Sequence, residues 1–561
     1  MKQLIECVPN ISEGRDQQKI KAITDVVETV EGVKLLDVDP GASTNRTVIT
    51  FVGAPEAVCE AAFRLIRKAS ELIDMSKHSG EHPRMGATDV CPLIPISDIS
   101  MDETAEYARQ LGKRVGEELN IPVYLYENAA SNEKRRNLAY VRQGEYEGLD
   151  KLATEDLGPD FGPRKFEGSV KQTGATAISA RDFLVAYNIN LNTTSTRRAN
   201  AIAFDIREAG RVKKTKGITG EVLTDENGEP LRIPGTLKAV KGIGWYIEEY
   251  GIAQLSLNLT NISITPVHVA FDEACRAAQA RGIRVTGSEL VGLIPKKAML
   301  DAADHFLKKQ QRSLGISEEE KMKIAVKSLG LDDLKPFDPR ERVIEYLIED
   351  EGESRLIDMD LKSFAAETAS ESMAPGGGSI SAYAGALGVA LGTMVANLSA
   401  HKRGWDDRWE EFSQWAEKGQ AYMDKLLYLV DEDTRSFNGI IAAFQLPKGT
   451  EEEKATRQEA IQEATKYAIQ IPFEVMKTCY ESMEVMEAMV QKGNPSSITD
   501  GAVGALCARA GVIGAFMNVR INCVDCTDQT FVDKVLADAG RIKEQAVALE
   551  KEILGILEDK L

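Results

Sequence analysis

The chain has fewer basic than acidic residues. Its 561 residues carry 68 Lys and Arg against 87 Asp and Glu, which gives a formal charge of −19. Proteins that bind nucleic acid or anionic membranes generally present a basic face, so this balance argues against both classes of partner. An anionic small molecule must therefore be met by a local cluster of Lys and Arg. The length predicts two to four domains, and 43% hydrophobic with 28% charged residues is typical of a soluble globular protein.

Cysteines are few and mostly isolated. The chain has eight, and the one close pair, Cys523 and Cys526, has no second pair or nearby His to complete a metal site. We interpret all of them as reduced core thiols. The first ten residues, MKQLIECVPN, also lack the apolar stretch of a signal peptide, so we expect a cytoplasmic protein.

Histidine is scarcer still, with five in the chain, yet two of them lie in one stretch, HSGEHPRMGATD at 78–89. His78 and His82 are spaced i, i+4, which on a helix would place two metal ligands on one face. Gly80 weakens a helix and Pro83 disfavours the helical conformation at His82. A loop histidine that transfers protons near neutral pH is the better interpretation. The alternative is a polar loop with two solvated imidazoles.

Two further stretches combine charge with backbone signals. Asp39 lies at the end of a predicted strand before Pro40-Gly41, where its carboxylate would either orient an imidazole or belong to a turn. Lys238 and Lys241 lie in KAVKGIGW, a strand whose ammonium groups suit carboxylates and whose glycines would let a flat ring approach.

The first 300 residues predict two passes of the order strand, helix, strand, strand, helix, strand. The predicted strands are 2–8, 35–38, 47–52 and 90–96, then 183–191, 237–245, 254–259 and 283–286; the predicted helices are 16–30 and 55–74, then 195–209 and 267–281. A helix at 101–118, a strand at 123–126 and a boundary loop at 158–174 separate the passes. We expect two related α+β sandwich subdomains, each with helices on one face of a mainly antiparallel sheet.

Beyond about residue 340 the strand pattern almost disappears. Helices are predicted near 356–373, 379–400, 405–445, 452–491, 498–521 and 528–559. The fold class is therefore an α/β N-terminal half followed by an all-α helical bundle. We place the subdomains at 1–178 and 179–310, a linker at 311–340 and the helical domain at 341–561.

One predicted helix, Ser379–Leu398, is twenty residues long without a charge, which is enough to span a bilayer. Its Ala, Gly and Ser content and the pair Gly388 and Gly392 favour a buried central helix instead. It follows a glycine loop, APGGGS, whose main-chain N–H groups would either seat an anion or polar ring or serve close helix packing. Further on, 431–433 are three consecutive acids in a helical pattern, so at most two could face an interior site.

At this point the motifs resemble a known family. ECVPNISEG (6–14), DVDPGASTNRT (37–47) and the 78–89 stretch look like the N-terminal formiminotransferase subdomain, and AYNINL (186–191), KGIGWY (241–246) and GSELVGLIP (287–295) look like its C-terminal subdomain. APGGGS (374–379), LVDEDTRSFN (429–438) and AFQLPKGTEEEK (443–454) resemble a cyclodeaminase domain. Their joint order is that of the bifunctional formimidoyltransferase-cyclodeaminase family.

The resemblance implies two consecutive steps of histidine degradation and one-carbon metabolism. The formimino group passes from N-formimino-L-glutamate to N5 of tetrahydrofolate, and ring closure onto N10 then expels ammonia and gives 5,10-methenyltetrahydrofolate. It implies no metal or redox cofactor, only small-molecule partners and no nucleic acid or membrane, and a homo-oligomer built as a ring of dimers.

The resemblance also assigns roles. His82 matches the family's catalytic histidine, a general base that takes a proton from N5 and returns it to the leaving glutamate nitrogen. Asp39, Arg46 and His78 would orient it or hold substrate. In the helical domain Asp433 is favoured over Asp431 as the proton donor to ammonia. The remaining expected substrate contacts are Gly162, Pro163, Lys165, Lys171 and Gly174 within 162–174, then Lys238 and Lys241, and in the second domain Gly376, Gly377, Gly378 and Ser379.

Two other interpretations stay open. In one, only the transferase works and the helical domain is a methenyltetrahydrofolate cyclohydrolase or an assembly element. In the other, the protein is a non-catalytic folate-binding scaffold. The intact His82 motif argues against the scaffold, and the intact APGGGS and LVDEDTRSF stretches argue against an inactive second domain.

Overall fold

A computed structural model of the chain describes residues 3–41, 45–79, 84–153, 158–215, 220–226, 228–348 and 355–561, except for the side chains of 151–153. The chain forms two compact units. The first comprises Met1–Ala302 with Leu329–Glu349, and the second comprises Ala303–Ser328 with Asp350–Leu561.

Among its described residues, the first unit contains a seven-stranded sheet, a four-stranded sheet and a two-stranded sheet of Arg211–Val212 and Arg232–Ile233. Its strands are β1 Leu4–Cys7, β2 Asn10–Ile11, β3 Val33–Gly41, β4 Arg46–Gly53, β5 Thr88–Ser97, β6 Val123–Glu127, β7 Thr176–Ala180, β8 Val185–Leu191, β9 Arg211–Val212, β10 Arg232–Ile233, β11 Val240–Ile247, β12 Ile252–Leu259 and β13 Val285–Val291. Its first seven helices are α1 Gln17–Glu28, α2 Pro55–Leu72, α3 Met101–Glu118, α4 Leu138–Val141, α5 Ser169–Thr173, α6 Thr196–Ile206 and α7 Val267–Gln279.

The two predicted passes are confirmed, and they share one strand order. In the first sheet the antiparallel neighbours run β3, β4, β1, β5, and in the second they run β11, β12, β8, β13. Numbered within each pass, both orders are second, third, first, fourth strand. The first sheet continues beyond β5 through two parallel neighbours, β7 and then β6. The prediction missed β7, which follows the predicted boundary loop at 158–174 and spans the subdomain limit set between residues 178 and 179.

Helices α1, α2 and α3 cover one face of the first sheet. Helix α2 begins with Pro55 at its first turn, where the missing N–H costs nothing, and then buries Val58, Ala61, Leu65 and Ile66 at helical spacing. They meet inward-facing strand residues such as Ile5, which is completely buried. Each fully buried Leu or Ile contributes roughly 1.5–3 kcal/mol, so this face carries much of the stability of the subdomain.

Two local predictions in this unit were wrong. Asp39-Pro40-Gly41 was expected as a turn, but β3 runs on through all three residues, with Asp39 opposite Val48 and Gly41 opposite Arg46. Proline is tolerated there because β3 forms the edge of the sheet in the described part of the chain. In β11 the space beside Gly244 holds helix α6, since an added Cβ would lie 2.2 Å from the backbone nitrogen of Asn200. That glycine serves helix packing rather than the approach of a ring.

Four helices follow the second sheet: α8 Lys296–Lys309, α9 Glu318–Leu329, α10 Pro339–Arg342 and α11 Ile344–Ile348. Helix α9 lies inside 311–340, the stretch assigned to a linker. Nearly all of it belongs to the second unit, which takes residues 303–328.

The second unit is the predicted helical bundle. Its remaining helices are α12 Leu361–Thr368, α13 Gly377–Ala400, α14 Trp409–Phe444, α15 Glu451–Lys492, α16 Ile498–Asn522 and α17 Gln529–Glu558. The last five match the predicted helices closely. The first is shorter than predicted, because a 3-10 turn at Leu356–Asp358 precedes α12.

Helices α13 and α16 pack backbone against backbone through glycine. An added Cβ on Gly388 would lie 2.6 Å from the carbonyl oxygen of Gly504, and one on Gly504 would lie 2.5 Å from that of Gly388. Among the described residues two helices, Gly377–Ala400 and Ile498–Asp525, are long and apolar enough to cross a membrane, with 61% and 44% of their most apolar windows buried. Most of that α13 window therefore lies inside the bundle.

We expect Gly504→Ala to destabilise the helical unit by about 1–3 kcal/mol, because its methyl group would overlap the Gly388 carbonyl. Gly540→Ala is the matched control, since Gly540 lies within α17 and an added Cβ would meet nothing within 4 Å. The same change there should stabilise by up to about 1 kcal/mol, the helix preference of Ala over Gly. Thermal unfolding followed by far-ultraviolet circular dichroism measures both, and equal midpoints would contradict the packing argument.

Candidate active sites

Arg46 and Asp89 form the centre of a polar cluster at one end of the first sheet. Arg46 begins β4, and its Nε and Nη2 donate to Oδ1 of Asn10 at 2.8 and 2.5 Å. Its Nη1 lies 3.4 Å from Oδ2 of Asp89, which also accepts a hydrogen bond from Arg142. Asp89 is completely buried, and its Oδ1 accepts from the backbone N–H of Met85 at 2.9 Å. Two guanidinium groups thus share one buried carboxylate, which supplies the pairing that burial of such a group requires.

His78 ties the two flanks of this cluster together. Its Nδ1 accepts from Nε of Arg84 at 3.3 Å, so its Nε2 carries the proton and donates to the carbonyl oxygen of Asn45 at 3.0 Å. Burial lowers the pKa of His78, which favours this neutral form. Arg84 in turn donates to both carboxylate oxygens of Glu147 at 2.8 and 2.7 Å. Both ring nitrogens of His78 are therefore occupied by contacts that join the two flanks of the loop.

His82 lies in 80–83, outside the described residues. The described contacts position the residues on either side of 80–83. Asn45 accepts from the N–H of Gly14 at 3.0 Å through Oδ1 and donates to the carbonyl oxygen of Ser79 at 3.0 Å through Nδ2. Together with the His78–Arg84 contact, these bonds hold both flanks of the segment that contains His82.

Glycines bring this loop against the end of the 162–174 stretch. An added Cβ on Gly86 would lie 2.2 Å from the carbonyl oxygen of Ala175, and one on Gly174, whose φ is +66°, would lie 2.3 Å from that of Met85. Ser12 donates to the carbonyl oxygen of Gly86 at 2.7 Å. Three of the sequence motifs, 6–14, 78–89 and 162–174, therefore meet here through their backbones.

The other predicted residues of 162–174 lie around this contact. Gly162 has φ +83°, and an added Cβ would lie 2.3 Å from the carbonyl oxygen of Ile121. A tight turn therefore explains why this position is glycine. Pro163 and Lys165 follow that turn, and Lys165 is exposed. Lys171 is exposed on α5, one turn before Gly174.

Asp39, Lys238 and Lys241 stand apart from the cluster. Asp39 is exposed on β3, two positions from Gly41, the partner of Arg46. Nζ of Lys238 lies 3.6 Å from Oε1 of Glu208 in an exposed pair. Lys241 lies within electrostatic range of Glu127 at the carboxyl end of β6, whereas Gly162 packs just before the amino end of that strand. The structure does not bring Lys241 and Gly162 together.

The second unit contains a cleft of about 710 Å³ with Asp433 in its wall. The backbone N–H of Ser379 donates to Oδ2 of Asp433 at 2.9 Å, and Oγ of Ser379 lies 3.2 Å from the same atom. An added Cβ on Gly378 would lie 2.1 Å from Oδ1 of Asp433, so only glycine allows this approach. Burial raises the pKa of Asp433, and the bonds from Ser379 oppose that rise only in part. The group that meets a main-chain N–H at the start of α13 is thus the protein's own Asp433 carboxyl, while Gly376 and Gly377 line the cleft.

The three consecutive acids of α14 point in three directions. Asp431 accepts from the backbone N–H of Leu356 at 2.6 Å and so caps the turn before α12. Glu432 accepts from the Tyr467 hydroxyl at 2.5 Å and from Nη1 of Arg435 at 3.0 Å. Burial raises the pKa of Glu432, but these hydrogen bonds outweigh it and the pKa is lowered. Of the three, Asp433 alone lines the cleft.

Sequence reasoning missed several residues of these sites. Asn10 and Asp89 lie inside the quoted motifs, where an Asn and an Asp among family-like residues were signals to follow. Arg142 lies in an ordinary charged stretch and carries no local signal. Asn518 and Arg457 line the cleft from α16 and α15, and only the packing of the helices brings them to Asp433.

Three family profiles match the chain. The N-terminal subdomain of the formiminotransferase domain matches residues 4–181, the formiminotransferase domain matches 186–349, and formiminotransferase-cyclodeaminase matches 360–541. The α+β layers and the helical bundle are thus a formiminotransferase followed by a cyclodeaminase-type domain.

The similarity to curated proteins extends over the whole length. The formimidoyltransferase-cyclodeaminase of Rattus norvegicus is 44% identical over 560 residues, which is 100% of this chain and 99% of the relative. The glutamate formimidoyltransferase of Streptococcus pyogenes is 42% identical over 55% of this chain and 94% of its own. The methenyltetrahydrofolate cyclohydrolase of Methylorubrum extorquens is 33% identical over 36% of this chain and 97% of its own. This chain belongs to the formimidoyltransferase-cyclodeaminase family, whose members are bifunctional enzymes.

Glu6, within the first motif, is buried on the side of β1 opposite to Ile5 and Cys7, and among the described residues its Oε2 has no hydrogen-bond partner. Burial raises its pKa to about 8 from 4.5, against the influence of Arg181. The folded state therefore holds a proton that the unfolded state releases, so this contribution to stability is lost as the pH rises from 4.5 to about 8.

We expect Glu6→Gln, which is neutral at every pH, to be more stable than the wild type above about pH 8, by up to about 5 kcal/mol, with the difference vanishing near pH 4.5. Thermal unfolding across this pH range measures it. Glu117→Gln, on the exposed face of α3, should follow the wild type throughout. A Glu6→Gln curve parallel to the wild-type curve would contradict the assignment.

Proposed function

We propose that the chain carries out both reactions of its family. Its first unit transfers the formimino group from N-formimino-L-glutamate to N5 of tetrahydrofolate, and its second unit converts 5-formiminotetrahydrofolate to 5,10-methenyltetrahydrofolate and ammonia. The observation that carries this proposal is the Asp433 carboxyl in the cleft, held by Ser379 beside Gly378, in a chain that matches the fused enzymes from end to end.

In the transfer step, N5 of tetrahydrofolate attacks the formimino carbon and His82 accepts the N5 proton. His82 then returns the proton to the glutamate nitrogen as the bond between that nitrogen and the formimino carbon breaks. His78 supports this step by holding both flanks of the segment. Arg46 and Arg142 are cations beside the loop that suit the carboxylates of formiminoglutamate.

For the folate of this step, the contacts proposed are those of the 162–174 stretch. Gly174 closes onto the catalytic loop, Gly162 and Pro163 shape the turn before it, and the exposed Lys165 and Lys171 stand where glutamyl carboxylates would meet them.

Three further contacts complete the proposed set. Asp39 would orient groups from the edge strand. Lys241 would act on a folate tail that extends to the far end of β6, and Lys238, which pairs with Glu208, would act just before β11.

In the second step, N10 attacks the formimino carbon, and the C–N bond to the terminal nitrogen breaks. That nitrogen leaves as ammonia after it gains the N10 proton and one more proton, and the product is a cation. Asp433 is the proton donor, because its raised pKa keeps the carboxyl protonated to a higher pH than an ordinary Asp. Once ionised, it stands beside the methenyl cation and stabilises its charge. Asp431 is bound to Leu356 and is not assigned this role.

A cyclohydrolase is the second candidate for the helical unit, because the Methylorubrum enzyme of that name covers it at 33% identity. Such an enzyme would open the methenyl ring with water instead of closing it with loss of ammonia. The full-length match at 44% favours the deaminase.

The remaining proposals concern the whole protein. We propose a cytoplasmic homo-oligomer, built as a ring of dimers, that works as a transferase and a lyase without a metal or redox cofactor. Helix α13 supports self-association, since its exposed apolar residues Ile380, Leu387, Met394 and Leu398 follow one face.

The test supplies formiminoglutamate and tetrahydrofolate and follows glutamate, ammonia and the absorbance of methenyltetrahydrofolate together. All three should appear. Glutamate without ammonia would remove the deaminase and leave the transferase, whereas no glutamate would remove the transferase. Methenyltetrahydrofolate consumed by water would establish the cyclohydrolase.

Two variants should separate the steps. His82→Ala should reduce glutamate release by about 100-fold or more, the usual contribution of a general base, while it spares ammonia release from supplied 5-formiminotetrahydrofolate. Asp433→Asn should do the reverse, because it removes the proton donor and keeps the shape. Asp431→Asn is the control for Asp433. Loss of both activities in either folded variant would contradict separate sites, and unchanged ammonia release in Asp433→Asn would move the role to Asp431.

A further inference from the structure

One face of α14 forms a continuous wall of the cleft. Asp433, Phe437, Ile440 and Phe444 are spaced i, i+4, i+7 and i+11, which places them in a single row along the helix, and all four line the cleft. Eleven residues of helix rise by about 16 Å, so the row is long enough for an extended ligand of that length.

The two ends of the row differ in their chemistry, because one has a carboxyl group and the other has a cation. Asp433 stands at one end. At the other, Nε and Nη2 of Arg457 on α15 donate to the carbonyl oxygen of Phe444 at 3.2 and 3.0 Å, and the guanidinium carbon lies 5.3 Å from the centre of the Phe444 ring. Arg457 is the one cationic side chain among the described residues that line the cleft. A guanidinium has five N–H donors, and these two bonds use two of them.

The cleft's second acid lies between the two ends. This acid is Asp525. Nε2 of Gln462, which lies five residues beyond Arg457 along α15, donates to the backbone carbonyl oxygen of Asp525. Tyr467, five residues further on, reaches Glu432 next to Asp433. The end with Arg457 is therefore the end that attracts anions.

The middle of the row is aromatic and open. The Phe437 and Phe444 side chains are 46% and 54% exposed, and both face the cleft. Large exposed rings on a cleft wall offer a stacking surface to a flat ligand group.

Along the cleft, the order of acid, aromatic surface and cation matches the order of the chemical groups along the proposed substrate. 5-Formiminotetrahydrofolate carries a basic formimino group at one end, an aminobenzoyl ring in the middle and a glutamate with two carboxylates at the other end. The reverse orientation would place the basic group beside the Arg457 guanidinium, where like charges repel, and would place both carboxylates at the end of the row away from that cation.

We infer that the substrate lies along α14 with its formimino group at Asp433, its aminobenzoyl ring against Phe437 and a glutamate carboxylate on Arg457. Arg457 is therefore the residue that makes the second step specific for substrates with a glutamate tail. This inference rests on the proposed deaminase activity and deepens it.

The test compares 5-formiminotetrahydrofolate with 5-formiminotetrahydropteroate, which lacks the glutamate. Arg457→Gln should raise KM for the first substrate by about 10-fold to 100-fold, the loss expected for a hydrogen bond between charged groups, with little change in kcat. Both constants for the second substrate should stay at the wild-type value. Arg457→Lys, which keeps the charge, should recover part of the KM.

Arg541→Gln is the matched control, because Arg541 is exposed on α17 and pairs only locally with Asp538 at 3.1 Å. It should leave all constants unchanged, and glutamate release in the transferase step should be unchanged in every variant. If Arg457→Gln impairs both substrates equally, Arg457 acts through the Phe444 carbonyl, and the inference is overturned. An unchanged KM overturns it as well. A wild-type protein that releases ammonia from neither substrate overturns the proposed deaminase itself, which is a separate result.

Discussion

Close approach of backbone to backbone, allowed by glycine, is the constraint on which both units depend. In the first unit Gly86 and Gly174 let the loop of the 78–89 motif and the end of the 162–174 stretch touch without side chains between them. In the second, Gly388 and Gly504 do the same for α13 and α16, and Gly378 admits the Asp433 carboxyl. A methyl group at any of these positions would move backbone or a buried carboxylate. The positions of the candidate site residues therefore depend on the lack of side chains at these glycines as well as on the side chains that are present.

The buried carboxyl groups of the two units have different partners. Asp89 is completely buried against two guanidinium groups, an arrangement that fixes a charge in place. Among the described contacts, the Asp433 carboxyl accepts from the backbone N–H of Ser379 and lies 3.2 Å from the Ser379 hydroxyl, which also donates to the carbonyl oxygen of Val430 at 2.8 Å. Burial raises the pKa of Asp433. The first arrangement suits a residue that orients others, and the second suits a residue that must hold and release a proton.

Much of this fold was predictable from local pattern. The helices of the bundle have long amphipathic or apolar runs bounded by Gly, Pro or capping residues, and the βαββαβ passes show in alternating runs and turns. The errors have specific causes. Pro40 signalled a turn because its lack of an N–H is usually disruptive, but on an edge strand no partner needs that N–H. Strand β7 was missed because five residues of small and apolar type, TAISA, give no alternation when both faces of a parallel strand are buried.

The sites were predictable only in part. The motifs named Asp433, Arg46 and His78, and the structure places them in the two candidate sites. Nothing in the sequence states that His78 uses both ring nitrogens to hold the loop or that Asp433 lies against the start of α13. Arg142 and Arg457 each meet their site across more than ten intervening residues, a relation that only tertiary packing establishes.

The position of Asp433 at the amino end of α13 has a consequence for the cycle of the second site. The N–H groups at that helix end interact weakly with a neutral carboxyl and strongly with a carboxylate. When the proton departs, the helix end is already oriented toward the charge that appears, and no group has to rearrange. The positive end of the helix dipole thus stabilises the Asp433 carboxylate that remains after the proposed proton donation. Burial favours the neutral carboxyl and the helix end favours the carboxylate, so in the proposed step the free-energy difference between the two forms stays small.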